Sequence, residues 1–213
     1  PWNRWSFQRI RSLMPTAQVW RGNGKIMPIP RQEKDISQIE FTRSNEVSQT
    51  IEAFLDDTYT DGFLVMADGY IVHESYHNGM QPESPHLMQS VWKSITSSVS
   101  GIMIGRGELD PSAPVKTYMP ELAETAWAGA TLQHVLDMTT GVQYSEEYTR
   151  LDSDVGKTDV ASGWRPIAPD ATSDIDWPAS VWDQILSLKT CDAEHGSRFL
   201  YSSIETDLLA HIM

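Results

Sequence analysis

Ser90 and Lys93 lie one helical turn apart, at the head of the stretch that most constrains what this chain can fold into. Apolar residues follow at helical spacing, and glycines come where that spacing ends, at Val91, Ile95, Val99, Ile102, Met103, Gly105 and Gly107. The pattern predicts a buried helix that begins near Ser90 and stops at the glycines. Such a helix holds the Ser90 hydroxyl and the Lys93 amine on one face.

This pairing is suited to nucleophilic catalysis. A serine hydroxyl is a weak nucleophile until a base takes its proton, and a lysine held away from water can act as that base or polarise another one. The free N–H groups at a helix N-terminus favour the negative charge of an oxyanion. Ser90 and Lys93 are therefore candidate catalytic residues. The alternative interpretation of residues 90–93, an S-x-x-K motif, is a packed helix that happens to contain a serine and a lysine.

Several segments, in order, resemble the serine β-lactamases and penicillin-binding proteins. Met88–Ser94 resembles their nucleophile segment, and the loop that follows the nucleophile helix is matched by Gly107–Asp110, Ala113–Val115 and Tyr118–Leu122. The segments that resemble the class C, esterase-like branch are Thr131–Val142 and Tyr201–Ser203. The last of these falls where that branch carries Y-x-N. Two further segments, Trp127–Thr131 and Tyr144–Tyr148, look most like the 6-aminohexanoate-dimer hydrolases, which cleave a linear amide rather than a β-lactam. Several ordered segments are more specific than one S-x-x-K.

The resemblance implies an α/β (α+β) fold of the β-lactamase/transpeptidase type, in which a helical region packs with an antiparallel sheet. It also implies a serine hydrolase that cleaves a small amide or ester through an acyl-enzyme, without metal or cofactor. Ser90 is then the nucleophile. Tyr201, assisted by Lys93, accepts the proton of Ser90 and passes it to the leaving group. Tyr148 and Ser203 are the expected substrate-binding residues, although a packing tyrosine fits Tyr148 equally well.

The chain departs from the family pattern in two ways. Ser203 stands where the family usually has Asn, and a hydroxyl lacks the paired donor and acceptor of an amide. The third family motif lies on a strand downstream of Y-x-N, beyond Met213. We therefore expect that both ends are cut and that the C-terminal part of the sheet is missing. One strand of the predicted hairpin should then have an unpaired edge, and the nucleophile helix should expose apolar residues.

The chain divides by composition into an irregular N-terminal segment, residues 1–44, and a partial hydrolase domain, residues 45–213. Asp68-Gly69 joins two apolar segments, Phe63–Ala67 and Tyr70–Tyr76, and predicts a β-hairpin with a type I′ turn. Helices are predicted around Val47–Leu55, from Thr131, around Trp177–Leu186 and from Thr206. The loop over residues 142–176, rich in Gly, Ser and Asp, is the expected source of substrate selectivity.

Histidines offer two other chemistries. His73-Glu74-Ser75-Tyr76-His77 matches the H-E-x-x-H zinc motif. It lies on a predicted strand, however, where residues four apart are about 13 Å from each other, too far to share one ion. His134 and His195 are candidates for a Ser-His arrangement, but a histidine at the surface or the core edge is the favoured reading of each.

The net charge of the chain limits the kinds of binding partner that can be expected. The 213 residues carry a formal net charge of −13, which argues against nucleic acid and anionic membrane surfaces. The longest apolar run, Phe63–Ala67, is too short to cross a bilayer. We expect a small-molecule substrate and a possible homodimer in the bacterial cytoplasm or periplasm. The competing functions are a β-lactamase or D-alanyl-D-alanine carboxypeptidase, and a non-catalytic sensor that binds penicillins.

Overall fold

A computed structural model of the chain describes residues 2–44, 47–167 and 175–213, so part of the predicted selectivity loop, residues 168–174, lies outside the described residues. The chain forms two compact units, residues 1–88 and 89–213. The helices and the antiparallel strands that the sequence predicts are both present. The boundary at residue 44 stays a prediction.

The first unit contains short elements: α1 (Trp2–Phe7), α2 (Ile10–Leu13), β1 (Glu40–Thr42), β2 (Ser48–Thr50), α3 (Ile51–Asp57), β3 (Gly62–Ala67) and β4 (Tyr70–Tyr76). Strands β1 and β2 pair antiparallel, and Thr50 caps α3 by accepting a hydrogen bond from the Ala53 N–H at 3.2 Å. The prediction of an irregular segment over residues 1–44 is wrong for the residues of α1, α2 and β1, which form two short helices and a strand.

The β3–β4 hairpin has the predicted strands and turn. Asp68 and Gly69 have φ values of 50° and 81°, the left-handed conformation that a type I′ turn requires at both positions. The outer edge of β4 is bonded by a parallel segment, in which the N–H groups of Gln32 and Lys34 donate to Ile71 and Val72. The other edge, along β3, has no strand partner among the described residues, which confirms the expected unpaired edge.

The second unit is helical: α4 (Trp92–Gly105), α5 (Leu132–Leu136), α6 (Asp154–Ala161), α7 (Val181–Ser187) and α8 (Ser203–Ile212). Its core includes side chains with no exposed surface from α5, α7, α8 and the segment that joins α4 to α5. They are Val115, Leu122, Trp127, Leu132, Ile185, Ile204 and Leu208. The predicted helices from Thr131, around Trp177–Leu186 and from Thr206 correspond to α5, α7 and α8. Helix α6 lies in a stretch that the sequence predicts as loop.

Helix α4 is present, but the prediction that it is buried is wrong. Its buried residues are Thr96 and Ser100. Four of the five apolar positions used to predict it are exposed, at Val91, Ile95, Val99 and Ile102, and the fifth, Met103, is partly buried against the core. This exposure confirms the expectation that the nucleophile helix presents uncovered apolar residues. Helical periodicity is a property of the local sequence, but the face that becomes buried depends on what packs against it.

Candidate active site

Ser90 is placed by the beginning of α4. A single 3₁₀ turn, Gln89–Val91, leads directly into the helix, so the serine occupies the first turn of the helical segment. Gln89 has a φ of 47°, an uncommon value for a residue other than glycine, and this turn redirects the chain into the helix. Lys93 follows one turn later, and its amine donates a hydrogen bond to Ser90 Oγ at 3.2 Å.

Tyr201 reaches the same hydroxyl from another part of the chain. It lies immediately before α8, which packs against α4. Backbone bonds fix the approach, since the N–H groups of Gly196 and Leu200 donate to Thr139 and Met138 at 2.8 and 2.9 Å. Tyr201 Oη lies 2.8 Å from Ser90 Oγ, and Lys93 Nζ lies 5.6 Å from the centroid of the Tyr201 ring. The predicted convergence of these three side chains is confirmed.

The surroundings of Tyr201 favour its ionised form. Partial burial by itself raises the pKa of a phenol, but here hydrogen bonds with Ser90 and Ser203 and the charge of Lys93 outweigh it. The pKa of Tyr201 therefore lies below its ordinary value. A phenol with a lowered pKa, bonded to a serine hydroxyl, can accept the proton of that hydroxyl.

Ser203 and Tyr148, the two predicted substrate-binding residues, lie together beside Tyr201. Their hydroxyl oxygens are 3.5 Å apart, and both bond to the carboxylate of Glu146. Burial and then the hydrogen bond to Glu146 raise the pKa of Tyr148 to about 12. The sequence did not identify Glu146 as a site residue, although it lies within the Tyr144–Tyr148 segment that carries the resemblance.

A second carboxyl group, Glu205, lies on α8 behind the site and is almost completely buried. Its Oε1 accepts a hydrogen bond from Thr140 Oγ1 at 2.7 Å, and its Oε2 has no partner among the described residues. Burial raises the pKa of Glu205 to about 8, and the bond from Thr140 only partly opposes this. No sequence pattern indicates this pair, because its two residues lie far apart in the chain.

His134 and His195, the candidates for a Ser-His arrangement, form hydrogen bonds away from Ser90. His134 Nδ1 accepts a hydrogen bond from the Thr131 N–H at 3.2 Å and completes a capping box at the start of α5. His195 bonds through Nδ1 to the carbonyl oxygen of Thr140. Among the described residues, neither histidine bonds to Ser90, so the geometry does not favour a Ser-His arrangement.

The H-E-x-x-H stretch lies on β4 and the residue after it, as the sequence predicts. His73 packs against the Phe63 ring, and His77 bonds to the neighbouring Ser75 hydroxyl at 3.2 Å. The described part of the chain contains no group of three or more His, Cys, Asp or Glu side chains placed to hold a metal ion. Within the same residues, no helix has the length and apolar character needed to cross a membrane.

Comparison with known proteins gives a consistent picture. A family model described as Beta-lactamase matches residues 47–213. The 6-aminohexanoate-dimer hydrolase of Paenarthrobacter ureafaciens is 36% identical over all 213 residues, which cover 50% of that protein. A solved structure from Bacillus anthracis, provisionally named as a 6-aminohexanoate-dimer hydrolase, superposes with a TM-score of 0.84 at 27% identity over the whole chain and 54% of its own length.

A more distant structure shows the fold alone. A provisionally named beta-lactamase from Bacteroides dorei DSM 17855 aligns with 76% of this chain and 43% of its own, with a TM-score of 0.52 and 22% identity. The chain thus spans about half the length of the relatives that it matches. The predicted β-lactamase/transpeptidase-like fold is confirmed. From the matched family model and the shared fold, the chain belongs to the beta-lactamase family.

Proposed function

We propose that this chain carries the nucleophile of a serine hydrolase that cleaves a small linear amide or ester through an acyl-enzyme. The observation that supports it most directly is the position of Ser90 Oγ, within hydrogen-bond reach of both Lys93 Nζ and Tyr201 Oη. Activated serines generally bond to a base, and a further group orients that base and stabilises its ionised form. Similarity to 6-aminohexanoate-dimer hydrolases favours an amide as the substrate.

In the proposed reaction, Ser90 Oγ forms a bond with the substrate carbonyl carbon while its proton passes to the Tyr201 phenolate. The hydrogen bonds with Ser90 and Ser203 and the charge of Lys93 lower the pKa of Tyr201, so the phenolate forms more readily here than in a free tyrosine. When the tetrahedral intermediate collapses, the C–N or C–O bond breaks and Tyr201 returns the proton to the leaving amine or alcohol. The acyl group remains on Ser90.

Deacylation repeats these steps with water. A water molecule gives its proton to Tyr201 and attacks the ester carbon, and Ser90 recovers a proton as the acid leaves. The backbone N–H of Ser90, in the first turn before α4, is the proposed oxyanion donor on this chain. The side chains of this scheme carry every proton transfer, and no step requires a metal or a cofactor.

Covalent labelling tests the nucleophile directly. Incubation with a fluorophosphonate followed by peptide mass spectrometry should place the phosphonate on Ser90. Ser90→Ala should abolish both labelling and turnover, whereas Ser97→Ala, an exposed serine on the same helix, should leave both unchanged. Lys93→Ala and Tyr201→Phe should each lower kcat by about 10²-fold or more. Turnover by Ser90→Ala at the wild-type rate would refute the assignment.

Substrate competition separates the alternatives. A β-lactamase turns over nitrocefin, a D-alanyl-D-alanine carboxypeptidase releases D-alanine from a dipeptide, and the proposed enzyme prefers a linear amide or short ester. A sensor becomes acylated but does not deacylate, or does not react at all. We expect hydrolysis of the linear substrate with fast deacylation. A stable acyl-enzyme with every ester tested would favour the sensor.

A further inference from the structure

The carboxylate of Glu146 bonds to two parts of the candidate site at once. One oxygen, Oε1, accepts the backbone N–H of Ser203, and the other, Oε2, accepts the Ser203 hydroxyl at 3.2 Å and the Tyr148 hydroxyl. Glu146 itself comes from the loop after Gly141, far from Ser203 in the chain. The carboxylate therefore ties the loop that carries Tyr148 to the turn that carries Tyr201.

The bond to the Ser203 N–H has a further consequence for α8. Ser203 is the first residue of this ten-residue helix, and the preceding Ser202 provides no side-chain cap. The first N–H groups of a helix need an acceptor, and a negative charge there also interacts favourably with the helix dipole. Glu146 supplies both from outside the helix. Because Tyr201 directly precedes this turn, its position depends on how the turn is held.

Ser203 also connects Glu146 electrostatically to Tyr201. The Ser203 hydroxyl has a single proton, and two acceptors compete for it, the Glu146 carboxylate and the Tyr201 oxygen. A proton donated to Glu146 is not available to the Tyr201 phenolate. The other groups that face Tyr201 are Ser90 in the turn before α4, Lys93 on α4 and Tyr148 in the loop. Asp207 on α8 interacts with the Lys93 charge.

We propose that Glu146 is a positioning residue of the reaction, which holds the Tyr201 hydroxyl against Ser90 and sets how strongly Ser203 bonds to it. This inference rests on the proposed function, in which Tyr201 carries the proton. It gives a physical reason why a serine can stand where the family usually has Asn. The Ser203 hydroxyl and the Glu146 carboxylate together provide the donor and the acceptor that one amide combines.

The test uses Glu146→Gln, which keeps an oxygen for the Ser203 N–H but removes the charge. The Ser203 hydroxyl should then donate its hydrogen bond to Tyr201 instead, and the pKa of Tyr201 should fall. The acidic limb of the pH profile of kcat/KM for a p-nitrophenyl ester should move to lower pH. Because the carboxylate contacts are weakened, labelling of Ser90 by the fluorophosphonate at neutral pH should also slow by ~10-fold or more.

Tyrosine labelled with ¹³C at Cζ gives a readout that needs no activity. In Glu146→Gln the Tyr201 resonance should titrate at lower pH than in the wild type, and the Tyr148 resonance should also shift because its acceptor has changed. Glu147→Gln is the matched control. Glu147 is the adjacent carboxylate and bonds to Thr149 in its own loop, so its variant should match the wild type in every measurement.

Two outcomes would overturn the proposal. One is a Glu146→Gln variant with the wild-type labelling rate and an unchanged Tyr201 titration. The other is a slower variant whose Tyr201 titration has not moved, since this describes general damage to the fold rather than positioning. If the wild type is not labelled at Ser90, the proposed function fails instead, and the Tyr201 titration alone then decides whether Glu146 acts on Tyr201.

Discussion

Helices α4 and α8 position the two halves of the candidate site, yet they differ in how far their apolar side chains are buried. Helix α8 buries its apolar residues Ile204, Leu208 and Leu209, as an amphipathic helix is expected to do. Helix α4 buries Thr96 and Ser100 and exposes Ile95, Val99 and Ile102 by 44%, 44% and 54%. The two sequences have the same periodicity, so periodicity alone identifies a helix without identifying its inner face.

The buried side of α4 shows how small polar residues are accommodated in this position. Ser100 has no exposed surface, and its hydroxyl donates to the Thr96 carbonyl one turn earlier at 3.0 Å. Its oxygen also lies 3.0 Å from Met213 Sδ, at the end of α8. A hydroxyl that bonds to its own helix needs no distant partner, and its small size lets α8 approach closely.

The largest expected difference between the two helices is in the cost of truncating an apolar side chain. Leu208→Ala removes a fully buried side chain from the core and should lower the free energy of unfolding by about 2–5 kcal/mol. Urea denaturation followed by circular dichroism would measure it. A loss below about 1 kcal/mol would mean that α8 is not part of the core.

A smaller effect concerns the buried carboxyl group on α8. Burial raises the pKa of Glu205 to about 8, so between its unfolded pKa and pH 8 the folded chain keeps a proton that the unfolded chain loses. Stability should therefore fall as the pH rises, by about 2–3 kcal/mol from pH 6 to pH 9. Glu205→Gln, which cannot ionise, should flatten that slope.

The measurement for Glu205 is a set of urea denaturation curves across this pH range. Glu124→Gln is a suitable control, because Glu124 is an exposed carboxyl group in the same unit. It should leave the slope unchanged. An equal slope in wild type and Glu205→Gln would show that Glu205 does not carry its proton at neutral pH.

The smallest expected change in stability is on the outer face of α4. Ile102→Ala, the counterpart of Leu208→Ala, should change the free energy of unfolding by less than about 0.5 kcal/mol, because Ile102 is already 54% exposed. Ile102→Lys should lower any concentration-dependent association of the chain, measured by sedimentation velocity, because it interrupts an exposed apolar face. A large destabilisation by Ile102→Ala would contradict the exposure of this face.

Local signals predicted much of the fold. Asp68-Gly69 determined the hairpin because only a few residue pairs adopt the left-handed conformation at both turn positions. Thr131 identified the start of α5 because its hydroxyl accepts a hydrogen bond from the His134 N–H. Helix α6 was missed. Its sequence is polar and includes a buried glycine, Gly156, so the helix depends on packing and on its Ser153 cap rather than on an apolar stripe.

The sequence by itself determined the identity of Ser90 and Lys93 as a pair, because residues three apart share a helix face wherever the helix lies. The ordered motifs led to Tyr201 as their partner. Only the tertiary structure decided which face of α4 is buried, that Glu146 bonds to Ser203 and Tyr148, and that Glu205 meets Thr140. The physical reason is range: turn and helix preferences act over a few residues, whereas burial and long-range hydrogen bonds depend on which distant segments pack together.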